Sequence, residues 1–166
     1  LEGAHTAAAG DGSRYLEIAE QLRERHNTVI EALLTSAGHK ADTRDRVETQ
    51  VREFDTLCHA VHVLGEASPR ALDAISSLGE RIASHVLAAH LRESECPAEA
   101  VRSNEIIQTD AVFQAASPEM EATRILTQKR LGALMDCDTV PIVTGFMAAT
   151  RDGAITTLGR GGSDTS

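Results

Sequence analysis

Thr139-Val140-Pro141-Ile142-Val143-Thr144-Gly145-Phe146 is β-branched and apolar on both faces. A strand with one wet face alternates polar and apolar residues. A run without alternation suits a strand buried within an α/β sheet. Asp152-Gly153 is a turn signal after it, and residues 154–158 form a second strand candidate, expected to lie beside the first. Then comes Thr157-Leu158-Gly159-Arg160-Gly161-Gly162-Ser163-Asp164. Three glycines among the four residues 159–162 let the backbone turn tightly and present its N–H groups. Such a loop leaving a strand can cradle an anion, above all where a helix starts next. Arg160 adds a planar, permanent cation suited to a carboxylate or phosphate. Ser163 and Asp164 can bond a ligand or cap a following helix. The competing reading is a plain glycine-rich turn followed by a cap.

Upstream of this stretch the pattern is helical. Residues 1–12 carry a weak helical signal at most. Ser13 can cap a helix over 13–36 whose apolar residues, from Tyr15 to Leu34, recur at three- and four-residue spacing until Gly38. A second helix over 42–64 has Val47, Val51, Phe54, Cys58 and Val61 on one stripe and Gly65 to stop it. Ser68-Pro69 caps a third, over 69–92. Ser77-Leu78-Gly79-Glu80 matches a capping box, so a break and restart is expected there. Short strands are expected at 98–103 and 105–109, and a helix at 118–135 whose spacing runs through Ala122, Ile125, Leu126 and Leu134. The layout is a mainly helical segment, 1–96, followed by an α/β segment, 97–166.

The 166 residues suffice for one core. With aromatics at 2% and no Trp, that core is aliphatic, and a base-stacking surface is excluded. A formal charge of −9 disfavours nucleic acid and anionic lipid as partners. No apolar run approaches the ~20 residues of a spanning helix. Cys58, Cys96 and Cys137 are far apart and read as reduced thiols of a cytoplasmic protein. His59 and His62, one helical turn apart, lack a third ligand at convincing spacing and read as packed or surface residues, with no metal site expected. The chain starts at Leu1 and stops at Ser166, just past the glycine-rich turn. An internal fragment of a longer protein is therefore expected.

Residues 140–146 and 156–164 together closely resemble the aspartate kinase signature, from a family with the amino-acid kinase fold. Ser77-Leu78-Gly79-Glu80 and Thr109-Asp110 resemble further elements of that family. The resemblance implies an α/β fold, here a helix-rich part of the catalytic domain with an incomplete β-sheet. It implies a parent enzyme that moves the γ-phosphoryl of ATP, as its Mg²⁺ complex, to L-aspartate, in lysine, threonine and methionine biosynthesis. By the same resemblance Arg160 binds an aspartate carboxylate. Gly161, Gly162, Ser163 and Phe146 help to position the substrate, Glu80 contacts its ammonium group, and Asp164 organises phosphoryl transfer. The family's Lys-Phe-Gly-Gly-Thr-Ser strand, source of the ATP-phosphate lysine, does not occur in this sequence, nor does the nucleotide half or the ACT domains. The chain alone is thus expected to be inactive, and its open sheet edge to promote self-association. Glu80 keeps two readings, capping box or substrate ligand. The alternatives are a kinase for glutamate, acetylglutamate or UMP, and a non-catalytic helical interaction module derived from a kinase.

Overall fold

The computed structural model describes residues 1–159. Four helices come first: α1 Glu2–Ala8, α2 Gly12–Leu33, α3 Ala37–Leu64 and α4 Pro69–Glu93. Then follow β1 Ala98–Val101, a 3-10 turn at Ser103–Glu105, β2 Gln108–Thr109, α5 Met120–Met135, β3 Val140–Val143, β4 Met147–Thr150 and β5 Ile155–Thr157.

Local chemistry explains some of the helix ends. Ser68 caps α4 by accepting the Ala71 N–H, with Pro69 in the first turn. Gly65 closes α3 at φ +70°, where a side chain would be strained. The α2–α3 junction departs from expectation. Asp11, not Ser13, caps α2, accepting from Ser13 N at 3.2 Å and Arg14 N at 3.0 Å. The helix stops at Leu33, Ser36 caps α3, and Gly38 lies inside the first turn of α3 rather than ending α2. The cause is tertiary. The Glu93 carboxylate, from the far end of α4, accepts Thr35 N at 3.1 Å, Thr35 Oγ1 at 2.5 Å and Ser36 N at 3.0 Å, and bonds His39 Nδ1 at 2.8 Å. These donors hold its carboxyl down to about 2. Residues 1–12 also do more than expected. In α1, Ala4 and Ala7 are fully buried, and Gly3 lets the Phe54 ring come so close that a Cβ there would stand 2.5 Å from Phe54 Cζ.

The main core lies between α2, α3 and α4, with Ile30, Val51, Phe54, Cys58, Ile75 and Leu78 at its centre. Burial pushes the Cys58 thiol up to about 11, so it behaves as a small apolar side chain. α4 is central: it packs on α3 and also on β1, β3, β4 and β5. It runs unbroken through Ser77–Glu80. Ser77 Oγ donates to the Ala74 carbonyl at 2.7 Å instead of capping anything. The continuous buried stripe of Ile75, Leu78, Ile82 and Val86 outweighs the local capping signal.

The strands form two small sheets. β1 pairs with β3 in parallel; β4 lies between β2, parallel, and β5, antiparallel. The run 139–146 is therefore not one strand beside 154–158. It breaks at Thr144, whose Oγ1 meets Ser103 N and Ser103 Oγ, each at 2.8 Å, and at Phe146, which takes φ +64°. The strand beside β5 is β4, which is buried throughout, whereas Val140 and Val143 of β3 are exposed. The two predicted strands meet only at their ends, where Leu158 N donates to the Phe146 carbonyl at 3.0 Å. Of 105–109 only Gln108–Thr109 is strand, the 3-10 turn taking Glu105. In α5, Ile125 is exposed, Ala122 and Leu126 are half-buried and Leu134 is buried; Thr123, Thr127 and Leu131 share the inner side.

Candidate functional site

Asp73, Ser77 and Glu80 follow each other at four- and three-residue spacing, which puts them on one face of α4. Asp73 fixes what that face meets. Its side chain is 1% exposed, and its carboxylate accepts three hydrogen bonds. Oδ1 takes Thr157 Oγ1 at 2.7 Å; Oδ2 takes Thr157 N at 3.1 Å and Gln114 N at 2.9 Å. Burying a carboxylate costs on the order of several kcal/mol in desolvation unless its lone pairs are filled, and here they are.

Thr157 is held on every side. Its carbonyl accepts Ala116 N at 2.9 Å, and its neighbour Thr156 shares a 2.8 Å hydroxyl contact with Thr109. The Thr109-Asp110 pair acts as a loop staple. Asp110 Oδ1 accepts Val112 N at 3.1 Å and Ser117 N at 3.2 Å, folding residues 110–117 over the end of β5. Gly159 follows at φ +74°, close to that loop: a Cβ there would stand 3.4 Å from the Gln114 carbonyl oxygen.

Two of the residues expected in a site are described. Glu80 is half-buried on α4, inside the helix and in no capping box, which overturns the capping reading. Phe146 is half-buried at the turn into β4, its carbonyl bonded to Leu158, one residue before Gly159. Phe146 is thus brought to the base of the glycine-rich loop, and Asp73 ties that base to the helix bearing Glu80. Arg160, Gly161, Gly162, Ser163 and Asp164 lie outside the described residues. His59 bonds Tyr15 Oη at 3.3 Å and His62 bonds the Ala7 carbonyl at 3.3 Å, so both serve the packing of α1 and α2 on α3. Among the described residues no three His, Cys, Asp or Glu side chains are grouped to hold a metal ion. Lys40 pairs with Glu31, and Lys129 is exposed on α5.

Sequence reasoning misses Asp73. Its signal is a stripe of small and acidic residues, Asp73, Ser77, Glu80 and Ser84, beside the apolar stripe of the same helix. A helix buried on two faces reads that way. A separate apolar cleft of about 470 Å³ lies between α5 and the end of β3, lined by Ile106, Met120, Thr127, Leu131 and Val143 among others. Among the described residues its lining has no charged side chain.

The chain's likeness to known proteins agrees with this arrangement. The profile of the amino acid kinase family matches residues 5–166. An aspartokinase of Chlamydia muridarum is 33% identical over 167 residues, spanning all of this chain and 34% of the relative. An aspartokinase of Candida albicans is 28% identical over 161 residues, spanning 90% of the chain and 29% of the relative. Among solved structures, Escherichia coli aspartokinase III in complex with aspartate and ADP superposes with a TM-score of 0.82 at 24% identity, over 98% of this chain and 36% of that one. The same enzyme in complex with lysine and aspartate gives 0.83 at 23% identity. The chain thus spans about a third of the length of these relatives. With the family profile covering nearly its whole length, the chain belongs to the amino acid kinase family.

Proposed function

We propose that this chain is the aspartate-binding side of an aspartate kinase, a cytoplasmic enzyme of lysine, threonine and methionine biosynthesis. A side-chain carboxylate oxygen of L-aspartate attacks the γ-phosphorus of ATP. The new O–P bond forms as the β,γ-bridging bond breaks, giving 4-phospho-L-aspartate and ADP. Both reactants are anions, so the protein's work is orientation and charge neutralisation. Arg160 grips one substrate carboxylate as a planar fork. The N–H groups of Gly161 and Gly162 and the Ser163 hydroxyl add donors, Glu80 takes the ammonium group, and Phe146 walls the loop base. Asp164 organises the transfer centre. ATP arrives as its Mg²⁺ complex, held by a lysine outside this chain.

The observation that carries the reading is the bonding of Thr157 to Asp73, which joins the base of the glycine-rich loop to the helix that bears Glu80. The relatives' names support aspartate over glutamate, acetylglutamate or UMP as acceptor. The test is coupled ADP release with MgATP and each acceptor in turn, for the full-length protein carrying this sequence. Aspartate-dependent turnover is expected, and release with glutamate or UMP alone refutes the assignment. The 166-residue chain by itself, lacking a phosphate-gripping lysine, is expected to release no ADP; turnover by it would refute the division of labour. The two-stranded sheet of β1 and β3, with Val140 and Val143 exposed, supports self-association, read by sedimentation velocity.

A further inference from the structure

The geometry points to Asp73 as a positioning residue that fixes the base of the glycine-rich loop, at Thr157 and Gln114, against the helix that bears Glu80. This rests on the proposed function for the identity of the substrate, but not for the bonding. Asp73 is buried to 1% exposure at a place where an apolar residue would pack at lower electrostatic cost. It accepts instead from two segments at once: Thr157 at the end of β5, and Gln114, which stands at φ +69° in the loop over that end.

The spacing gives those bonds a use. Asp73 and Glu80 lie seven residues apart on one face of α4, about 10 Å at 1.5 Å per residue. Asp73 holds Thr157, and Arg160 follows three residues later in the chain. One rigid helix thereby carries the group for the substrate ammonium and clamps the strand that leads to the group for its carboxylate. Removing the clamp takes away the side-chain bonds that hold the end of β5 on α4, while the pairing of β5 with β4 and the Ala116 bond to Thr157 remain. Ser77, between them on the same face, is fully buried and turned back onto Ala74, so it leaves the clamp to Asp73.

The test uses the full-length protein carrying this sequence, with D73A, D73N and T157V. Losing all three bonds in D73A is expected to raise KM for aspartate about tenfold or more, with KM for ATP within about twofold. The preference for aspartate over glutamate, one methylene longer, should shrink in parallel. D73N keeps the shape and one oxygen for the two backbone N–H groups, and should return KM to within about threefold. T157V deletes only the hydroxyl bond and covers the case in which D73A does not fold; it should raise KM for aspartate about threefold. A folded D73A or T157V with unchanged KM and unchanged acceptor preference overturns the inference, as does an equal rise for both substrates. If the wild type shows no aspartate-dependent turnover, the proposed function fails instead. Amide hydrogen exchange then decides the positioning role: D73A should speed exchange at Gln114 and Thr157 while amides of α2 and α3 keep their protection. Unchanged exchange at those two amides removes Asp73 from the loop base.

Discussion

Gly159→Ala tests how the chain enters the glycine-rich loop. Gly159 has φ +74°, and a side chain in that left-handed region costs about 1–2 kcal/mol. The added Cβ would stand 3.4 Å from the Gln114 oxygen and 3.6 Å from Ala115 Cα, ordinary contact, so crowding adds little to the backbone strain. The hairpin turn between β4 and β5 supplies a control. Gly153 has φ +82° and open space, with nothing within 4 Å of where a methyl would stand, so Gly153→Ala suffers the same strain away from the site. Both variants should lose about 1–2 kcal/mol in urea titrations, or roughly 2–8 °C in melting temperature for a domain of this size. They should part in kinetics. Alanine at 159 relieves its strain by moving toward negative φ, which redirects the chain just before Arg160, and KM for aspartate should rise about tenfold or more. Gly153→Ala should leave both KM values unchanged. A Gly159→Ala variant that loses less than about 0.5 kcal/mol and keeps wild-type aspartate dependence would refute the reasoning, because the loop would then accept negative φ at no cost.

Three further outcomes follow from single residues. Gly79→Ala, in the interior of α4 with open space around its Cβ, should stabilise the protein by about 0.5–1 kcal/mol in urea titration, against the capping-box expectation of a helix break. The Glu93 carboxyl is held at about 2 against an ordinary 4.5. Because the folded value is the lower one, its stabilisation is complete above about pH 4.5 and lost as pH falls toward 2. Glu93→Gln should flatten the acid limb of melting temperature against pH. Arg160→Ala should raise KM for aspartate at least about 30-fold, taking ~2–5 kcal/mol for a broken carboxylate pair and about 1.4 kcal/mol per tenfold. KM for ATP should change far less, as steady-state kinetics with each substrate varied will read.

The elements legible in the sequence are those whose cause is local. Ser68-Pro69, Gly65 and Asp152-Gly153 each do what their own chemistry dictates, because a cap, a left-handed stop and a tight turn need no distant partner. Apart from the Asp11 cap of α2, which is local, the main departures have distant partners. Thr35 and Ser36 leave the helix because Glu93, more than fifty residues on in the chain, takes their N–H groups. Glu80 reads as a cap residue until Leu78 and Ile82 are known to be buried on both sides of it. Residues 140–146 have the composition of one strand, and nothing in their own pattern announces that Ser103 will fasten Thr144 and end it.

The same division runs through the site. Arg160 and the glycines stand out in the sequence because their chemistry is in their residue types, and Phe146 because it lies in the same stretch; of these, Phe146 and Gly159 are among the described residues. Asp73 is hidden because a carboxylate in a helix ordinarily reads as solvated surface, and its donors come from residues 41 and 84 positions away. Yet its demands are the stricter ones. A long side chain that only has to reach a ligand tolerates small errors of placement. Asp73 must meet Thr157 Oγ1 and two backbone N–H groups together, within hydrogen-bond length and out of water, where an unmatched charge costs on the order of several kcal/mol. A residue under that constraint specifies one register of β5 on α4. On the proposed reading, precision at the loop is set at its base, and Asp73→Ala is the variant that separates precision from mere presence of the binding groups.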